Sequence, residues 1–106
     1  MPLIKVTNLD SEKTAAVAKN IKGELSKATK VDENLFSFFH CGGSTIEESP
    51  VLIEILTYAR DPGMLKSIAE ILSGEVKKHR ACHVNVVFSD LTAEKHFVNG
   101  EQVKFK

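Results

Sequence analysis

The chain has 106 residues, of which 42% are hydrophobic and 26% charged, and its 14 basic and 14 acidic residues give a formal net charge of zero. This length is typical of a single domain, residues 1–106, with its own core. The balanced charge argues against nucleic acid or a membrane surface as a partner. Two cysteines, with no signal peptide or membrane-spanning run, predict a cytoplasmic protein with free thiols.

The first part of the chain is typical of a strand, a helix and a second strand. Residues 2–7 are apolar and β-branched, which predicts the first strand. Asp10 or Ser11 can cap the helix that follows. Residues 35–40 predict the second strand, apolar on both faces, and a polar connector without periodicity follows it. The apolar stripe of the helix is Val17, Ile21, Leu25 and Ala28.

The same order of elements then recurs. Residues 51–58 predict a third strand and residues 83–88 a fourth. Asp61 followed by Pro62 is a favourable helix start, because proline at the first helical position has no hydrogen bond to lose. The second apolar stripe is Leu65, Ile68, Leu72 and Val76.

The end of the chain predicts a small hairpin. Asn99-Gly100 separates residues 95–98 from residues 101–105. A type I′ turn needs positive φ at both central positions, and Asn-Gly supplies it.

The two halves are also similar in sequence. Residues 3–6 match residues 52–55, and residues 23–25 match residues 74–76. We therefore interpret 2–40 and 51–89 as internal repeats, each a right-handed βαβ unit. The predicted fold is α+β, or α/β for some classifiers, with one four-stranded mixed sheet, two helices on one face and a hairpin over 95–105.

This arrangement leaves one face of the sheet bare. Phe36, Phe38 and Phe39 cannot all point to the same side of a strand, because side chains alternate. The bare face is covered either by the connector and the hairpin or by other copies of the chain. We favour the second alternative and predict a homotrimer, since exposed apolar faces mark interaction sites.

Several short stretches resemble the tautomerase superfamily, which includes 4-oxalocrotonate tautomerase, carboxymethyl-hydroxymuconate isomerase and macrophage migration inhibitory factor. The chain begins Met1-Pro2 with two apolar residues after it, and residues 96–101, His-Phe-Val-Asn-Gly-Glu, are similar to the His-Phe-x-x-Gly-Glu ending of single-unit members. Arg60 lies in a turn similar to the family's arginine-bearing turn. The resemblance is that of a divergent bacterial branch. It extends over nearly the whole chain in the order of the predicted strands and helices.

The resemblance implies a keto–enol tautomerase acting on a small 2-oxo or enol acid without a cofactor. Once Met1 is removed, Pro2 would be the general base, because desolvation and a nearby cation lower the pKa of a terminal amine. Arg60 would hold a substrate carboxylate and Phe97 would wall the site. The chain departs from the superfamily in the turn after the first strand, residues 8–11, which has no arginine.

Other interpretations of the same residues stay open. Pro2 can simply begin a strand, and Tyr58 can either donate to a substrate carbonyl or complete the core with its hydroxyl in water. The chain can also be a non-catalytic member with an assembly or regulatory role. His79, Cys82 and His83 lie close together, but adjacent strand residues point to opposite faces, so we expect no metal site there.

Overall fold

The computed structural model describes residues 2–58 and 60–103. Its helices and strands are β1 (Leu3–Thr7), α1 (Ser11–Thr29), β2 (Ser37–Cys41), β3 (Val51–Tyr58), α2 (Pro62–His79), β4 (Val84–Leu91), β5 (Phe97–Val98) and β6 (Glu101–Gln102). Neither α1 nor α2, the helices of the described part of the chain, is long and apolar enough to cross a bilayer.

Strands β1 to β4 form one mixed sheet in the order β2-β1-β3-β4. The two outer pairs are parallel and the central β1–β3 pair is antiparallel, with Leu3 opposite Leu56. Strands β5 and β6 form a separate hairpin, whose turn residues Asn99 and Gly100 have φ values of 53° and 81°. The predicted α+β fold, with its mixed sheet and terminal hairpin, is confirmed.

The element boundaries differ from the prediction mainly around β2. Leu35, the first residue of the predicted strand, belongs instead to a 3₁₀ turn over residues 33–35, in which the Asp32 carboxylate accepts a hydrogen bond from the backbone N–H of Asn34 at 2.8 Å. Strand β2 therefore begins at Ser37, while β4 runs three residues beyond the predicted end. The predicted last hairpin strand ends at Gln102, and its residues 104 and 105 lie outside the described residues.

Both long helices begin at the residues that the sequence indicates. The Asp10 carboxylate accepts from the backbone N–H of Lys13 at 2.8 Å, and the Asp61 carboxylate accepts from that of Met64 at 2.9 Å. Each carboxylate satisfies an N–H that has no partner within its helix. Helix α1 ends at Thr29, and the next residue, Lys30, takes up the left-handed conformation with φ 60°.

The core lies between the sheet and the two helices. Alternate residues of β1 and β3 point toward the helices, while the apolar stripes of α1 and α2 cover them. These side chains, each at most 2% exposed, include Ile4, Val6, Val17, Ile21, Leu25, Val51, Ile53, Ile55, Ile68, Leu72 and Val76.

The opposite side of the sheet, which we call the open face, is formed by the other set of alternate residues. Phe39, Leu56 and Val87 lie on it with 52%, 41% and 50% of their surfaces exposed. The Nζ of Lys5 and the carboxylate of Glu54 form an ion pair at 3.7 Å in the middle of this face. Apolar area on both sides of the sheet was expected, and the three phenylalanines divide accordingly: Phe36 is buried, Phe38 packs against the core, and Phe39 is on the open face.

Candidate active site

Residues that the sequence singled out for the site lie at one end of the sheet. Because β1 and β3 are antiparallel, β1 and β2 begin where β3 and β4 end. Pro2 immediately precedes β1, Tyr58 is the last residue of β3, and Arg60 follows two residues later. We call this the Pro2 end of the sheet.

Pro2 is enclosed by the strands on either side. When the register of β1 is extended by one residue, Pro2 lies level with Phe36 and Thr57. Those two residues are 4% and 1% exposed, and Pro2 itself is fully buried. The carbonyl of Pro2 accepts a hydrogen bond from the backbone N–H of Ser37 at 3.2 Å. Pro2 is thus fixed at the edge of the core.

Arg60 is bonded to Thr57, the residue that lies level with Pro2 in the extended register. Its Nε donates to Thr57 Oγ1 at 3.2 Å, and its Nη1 lies 3.4 Å from Met64 Sδ in the first turn of α2. Within residues 2–58 and 60–103, no carboxylate comes within ion-pair distance of this guanidinium. The two contacts engage only two of the five N–H groups of an arginine. Arg60 is therefore a positioned cation with capacity for an anion.

Tyr58 meets a residue to which the sequence had assigned no role of its own. Its hydroxyl oxygen lies 2.6 Å from Nδ1 of His96, and the two rings are 5.9 Å apart between centroids. His96 precedes the hairpin, so this contact ties the C-terminal segment to the end of β3. The two residues are 38 positions apart, and no local sequence pattern links them.

Phe97 lies on the hairpin next to His96, but it is 57% exposed. The neighbouring Val98 is also exposed, at 42%. In a single chain Phe97 therefore does not close a wall over the Pro2 end, and the prediction that it walls the site stays a prediction.

A second arginine has a structural task that the sequence did not reveal. Arg80 directly follows the last residue of α2 and is only 9% exposed. Its Nη1 donates to the carbonyl of Asn8 at 3.0 Å, and its Nη2 donates to carbonyls of the connector, residues 42–50. The Asn8 side chain, from a residue with φ 71°, also binds the connector, donating to three carbonyls and accepting from the N–H of Ile46.

The histidine and cysteine residues near the end of α2 have separate partners. His79 Nε2 lies 2.9 Å from the carboxylate of Glu75, and Cys82 Sγ donates to the carbonyl of Arg80 at 3.5 Å. Among the described residues there is no group of three potential metal ligands.

Glu75 is a carboxylate buried between the two helices. Burial alone would raise the pKa of Glu75, but hydrogen bonds from Asn20 and His79, together with the charge and hydrogen bond of Lys78, outweigh it and lower that pKa below its ordinary value. The group is thus ionised at neutral pH, and its hydrogen bond with Asn20 joins α2 to α1.

A concavity on the open face reaches toward the Pro2 end. It has a volume of about 250 Å³, and its lining includes Leu3, Phe39, Leu56 and Ser89. Leu3 and Leu56 form the row of the sheet next to Pro2. The open face and the Pro2 end are therefore contiguous surfaces.

Comparison with known proteins agrees with this architecture. A DUF1904 domain from Sebaldella termitidis ATCC 33386 superposes with a TM-score of 0.87 at 23% identity, over 97% of this chain and 100% of that chain. A protein of unknown function from Vibrio cholerae O1 biovar eltor str. N16961 superposes with a TM-score of 0.85 at 18% identity, over 96% and 87% of the two chains. No curated protein matches the sequence.

The fold also matches tautomerases. The wild-type asymmetric trimer of a fused 4-OT superposes with a TM-score of 0.76 at 12% identity, and 94% of each chain is covered. At 12% identity this likeness shows only that the chain has the fold of the tautomerase superfamily. The family model described as a domain of unknown function, DUF1904, matches residues 1–102, and the chain therefore belongs to the DUF1904 family.

Proposed function

We propose that the chain is a tautomerase that moves a proton on a small 2-oxo or enol acid, with Pro2 as general base once Met1 is removed. It would act in the cytoplasm and without a cofactor. The observation that carries the proposal is the hydrogen bond from Arg60 to Thr57, the residue that lies level with the buried Pro2 when the register of β1 is extended. Arg60 has no carboxylate partner among the described residues.

The surroundings of Pro2 suit a base. A free amine here would be withdrawn from water, which disfavours its protonated form. The positive charge of Arg60 acts in the same direction, because like charges repel. Both effects lower the pKa of the amine toward ambient pH, where a general base is most effective.

The remaining groups at the Pro2 end suit the substrate. A 2-oxo acid carries a carboxylate next to a carbonyl. The guanidinium of Arg60 would bind the carboxylate, and the hydroxyl of Tyr58 would donate to the carbonyl oxygen as negative charge develops there. Pro2 would take the proton from the carbon adjacent to the carbonyl and, as an ammonium, deliver it to the carbonyl oxygen to give the enol; the same two transfers in reverse would ketonise an enol.

Self-association would complete the site. We propose a homotrimer in which the open faces turn inward and the hairpin of each chain reaches a neighbour. Support comes from the exposure of Phe39, Leu56 and Val87 on that face and of Phe97 on the hairpin. The fused 4-OT with the same fold is itself a trimer. In such an assembly, Phe97 of one chain would wall the site of another.

The test compares two forms of the protein that differ only at the N-terminus. One begins at Pro2, as verified by intact mass, and the other keeps one residue ahead of it. We expect the first to ketonise the enol form of a small 2-oxo acid, followed by loss of its ultraviolet absorbance, and the second to be inactive. Pro2→Ala should remove most of the activity, while Arg60→Ala should mainly raise KM. Equal rates with and without the extra residue would exclude the amine from the mechanism.

A non-catalytic role is the alternative, and one observation favours it. Asn8 lies in the turn where the tautomerases carry an arginine, and its side chain is used to hold the connector. The site therefore has one positioned cation from the described part of this chain. Retention of Met1 in the protein isolated from cells would support the alternative, because an amide nitrogen at Pro2 cannot accept a proton.

A further inference from the structure

We propose that the groove between α1 and β2 binds the connector, residues 42–50, of a second copy of the chain. This inference rests on the homotrimer of the proposed function and names two surfaces through which its subunits would meet. Its basis is a match of charge and polarity: lysines line the apolar groove, and glutamates follow an exposed isoleucine on the connector.

The groove has a volume of about 560 Å³ and lies between α1 and the outer strand β2. Its lining includes the apolar residues Ala15, Ala18 and Phe38 and the charged residues Lys19, Lys22 and Glu33. Within the described residues neither lysine forms an ion pair, and Lys22 Nζ lies 5.8 Å from the centroid of the Phe38 ring. The groove therefore combines an apolar surface with an excess of positive charge.

The connector has the complementary features. Ile46 is 59% exposed, although it is a large apolar residue. Glu47 and Glu48 follow it in a turn, in which the N–H of Ser49 donates to the carbonyl of Ile46 at 3.1 Å. In the described part of the chain neither glutamate forms an ion pair. An apolar side chain beside two carboxylates matches an apolar groove beside lysines, and such complementarity selects the partner of a surface.

The connector is also held in place before any partner binds. Arg80 donates to three of its carbonyls, and the side chain of Asn8 accepts from the N–H of Ile46 at 2.7 Å. These bonds use the backbone and leave the side chains of Glu47 and Glu48 exposed. A segment that is already ordered loses less conformational entropy on association. None of residues 42–50 lines the groove of its own chain, so the partner that we infer is another copy.

The symmetry of a trimer favours two different surfaces. In a ring of three, each interface joins one patch of a chain to a different patch of the next, whereas a two-fold dimer joins a patch to itself. The groove and the connector are two such patches of opposite charge in a chain of zero net charge. Phe39 lines both the groove and the concavity on the open face. The groove therefore borders the surface that the proposed trimer turns inward.

The experiment reverses these charges and follows assembly by sedimentation velocity. One variant carries Lys19→Glu and Lys22→Glu, a second carries Glu47→Lys and Glu48→Lys, and a third carries all four substitutions. We expect each double variant to raise the dissociation constant of the assembly at least about tenfold, because like charges then face each other. The fourfold variant, in which both surfaces change sign, should recover most of the native association.

The matched control is Lys27→Glu with Lys77→Glu. Both lysines are exposed and lie outside the groove, and their reversal changes the net charge as much as the reversal of the two groove lysines. Association should stay at the native level in this variant, because the effect depends on position and not on total charge. Circular dichroism verifies that each variant is folded.

Dissociation of the groove variant that the fourfold reversal does not restore would overturn the inference, because the lysines would then meet a group other than the connector. Native association in both double variants would also overturn it and leave the homotrimer standing. A native protein that stays monomeric would contradict the homotrimer and the inference together. Since association is measured without turnover, restored assembly in a protein that does not ketonise its substrate would refute the proposed catalysis and support the contact.

Discussion

Replacing Arg80 tests how the chain holds its connector against the sheet. Arg80 is 9% exposed, and its guanidinium donates to four backbone carbonyls at 2.9 to 3.1 Å. Three of these carbonyls belong to the connector, at Ile46, Glu47 and Ser49. Arg80→Met keeps a long unbranched side chain and removes every donor, so it isolates the hydrogen bonds from the packing.

The expected loss follows from the number of bonds and from what replaces them. Nη2 has two protons for its three acceptors and therefore makes at most two strong bonds. With the bond from Nη1 to the carbonyl of Asn8, the guanidinium makes at most three. Each charged hydrogen bond contributes about 1.5–3 kcal/mol net. Methionine avoids the cost of burying a charge, and the connector carbonyls can regain water by moving outward, which offsets part of the loss. We expect a decrease of roughly 2–4 kcal/mol in the free energy of unfolding, a large share of the ~5–15 kcal/mol typical of a domain.

The assay is urea unfolding followed by circular dichroism, at one protein concentration because the proposed self-association would contribute to stability. Lys77→Met is the matched control, since Lys77 is in the same last turn of α2 but is exposed. It should change the unfolding free energy by no more than about 0.5 kcal/mol. Arg80→Lys, which keeps the charge but reaches fewer carbonyls, should lie between the two. If Arg80→Met costs no more than Lys77→Met, the carbonyls are equally well satisfied without the guanidinium, and the reasoning fails.

Three further predictions concern other parts of the molecule. Because the pKa of Glu75 is lowered in the folded chain, the ionised carboxylate stabilises the fold at pH values above the ordinary glutamate pKa, and this stabilisation is lost as the pH falls. The difference in unfolding free energy between the native protein and Glu75→Gln, measured by urea titration, should therefore shrink between about pH 6 and pH 3. A difference that does not change with pH would contradict this. Asn8→Gly should be about 1 kcal/mol more stable than Asn8→Ala in thermal unfolding, because Asn8 has a positive φ; equal stabilities would mean that the backbone shifts. Val87→Lys on the open face should convert the proposed trimer to smaller species in sedimentation, and unchanged sedimentation would contradict an interface at this face.

The fold could be predicted because its signals are local. Alternating apolar residues mark β1 and β3, and Asp10 and Asp61 begin the two helices through hydrogen bonds to residues three positions away. The predicted start of β2 was wrong for an equally local reason. Asp32 caps a 3₁₀ turn that uses Leu35, which the apolar pattern had assigned to the strand.

The candidate site could be predicted only in part. The order of elements, together with the antiparallel central pair, brings Pro2, Tyr58 and Arg60 to one end of the sheet. The partner of Tyr58 is 38 residues away in sequence, and the carbonyl of Asn8 is 72 residues from Arg80. Such contacts depend on the packed structure, and neither composition nor spacing indicates them. An arginine at the end of a helix looks the same in sequence whether it faces water or a buried loop.

The most direct test of the central claim is an NMR titration of the Pro2 nitrogen in the protein that lacks Met1, with Arg60→Ala alongside. We expect the amine to titrate well below the ordinary α-amino range, which is near 8. Arg60→Ala should raise its pKa, because removal of a positive neighbour favours the protonated form. An amine that titrates in the ordinary range, unaffected by Arg60→Ala, would contradict the proposal that Pro2 is the base.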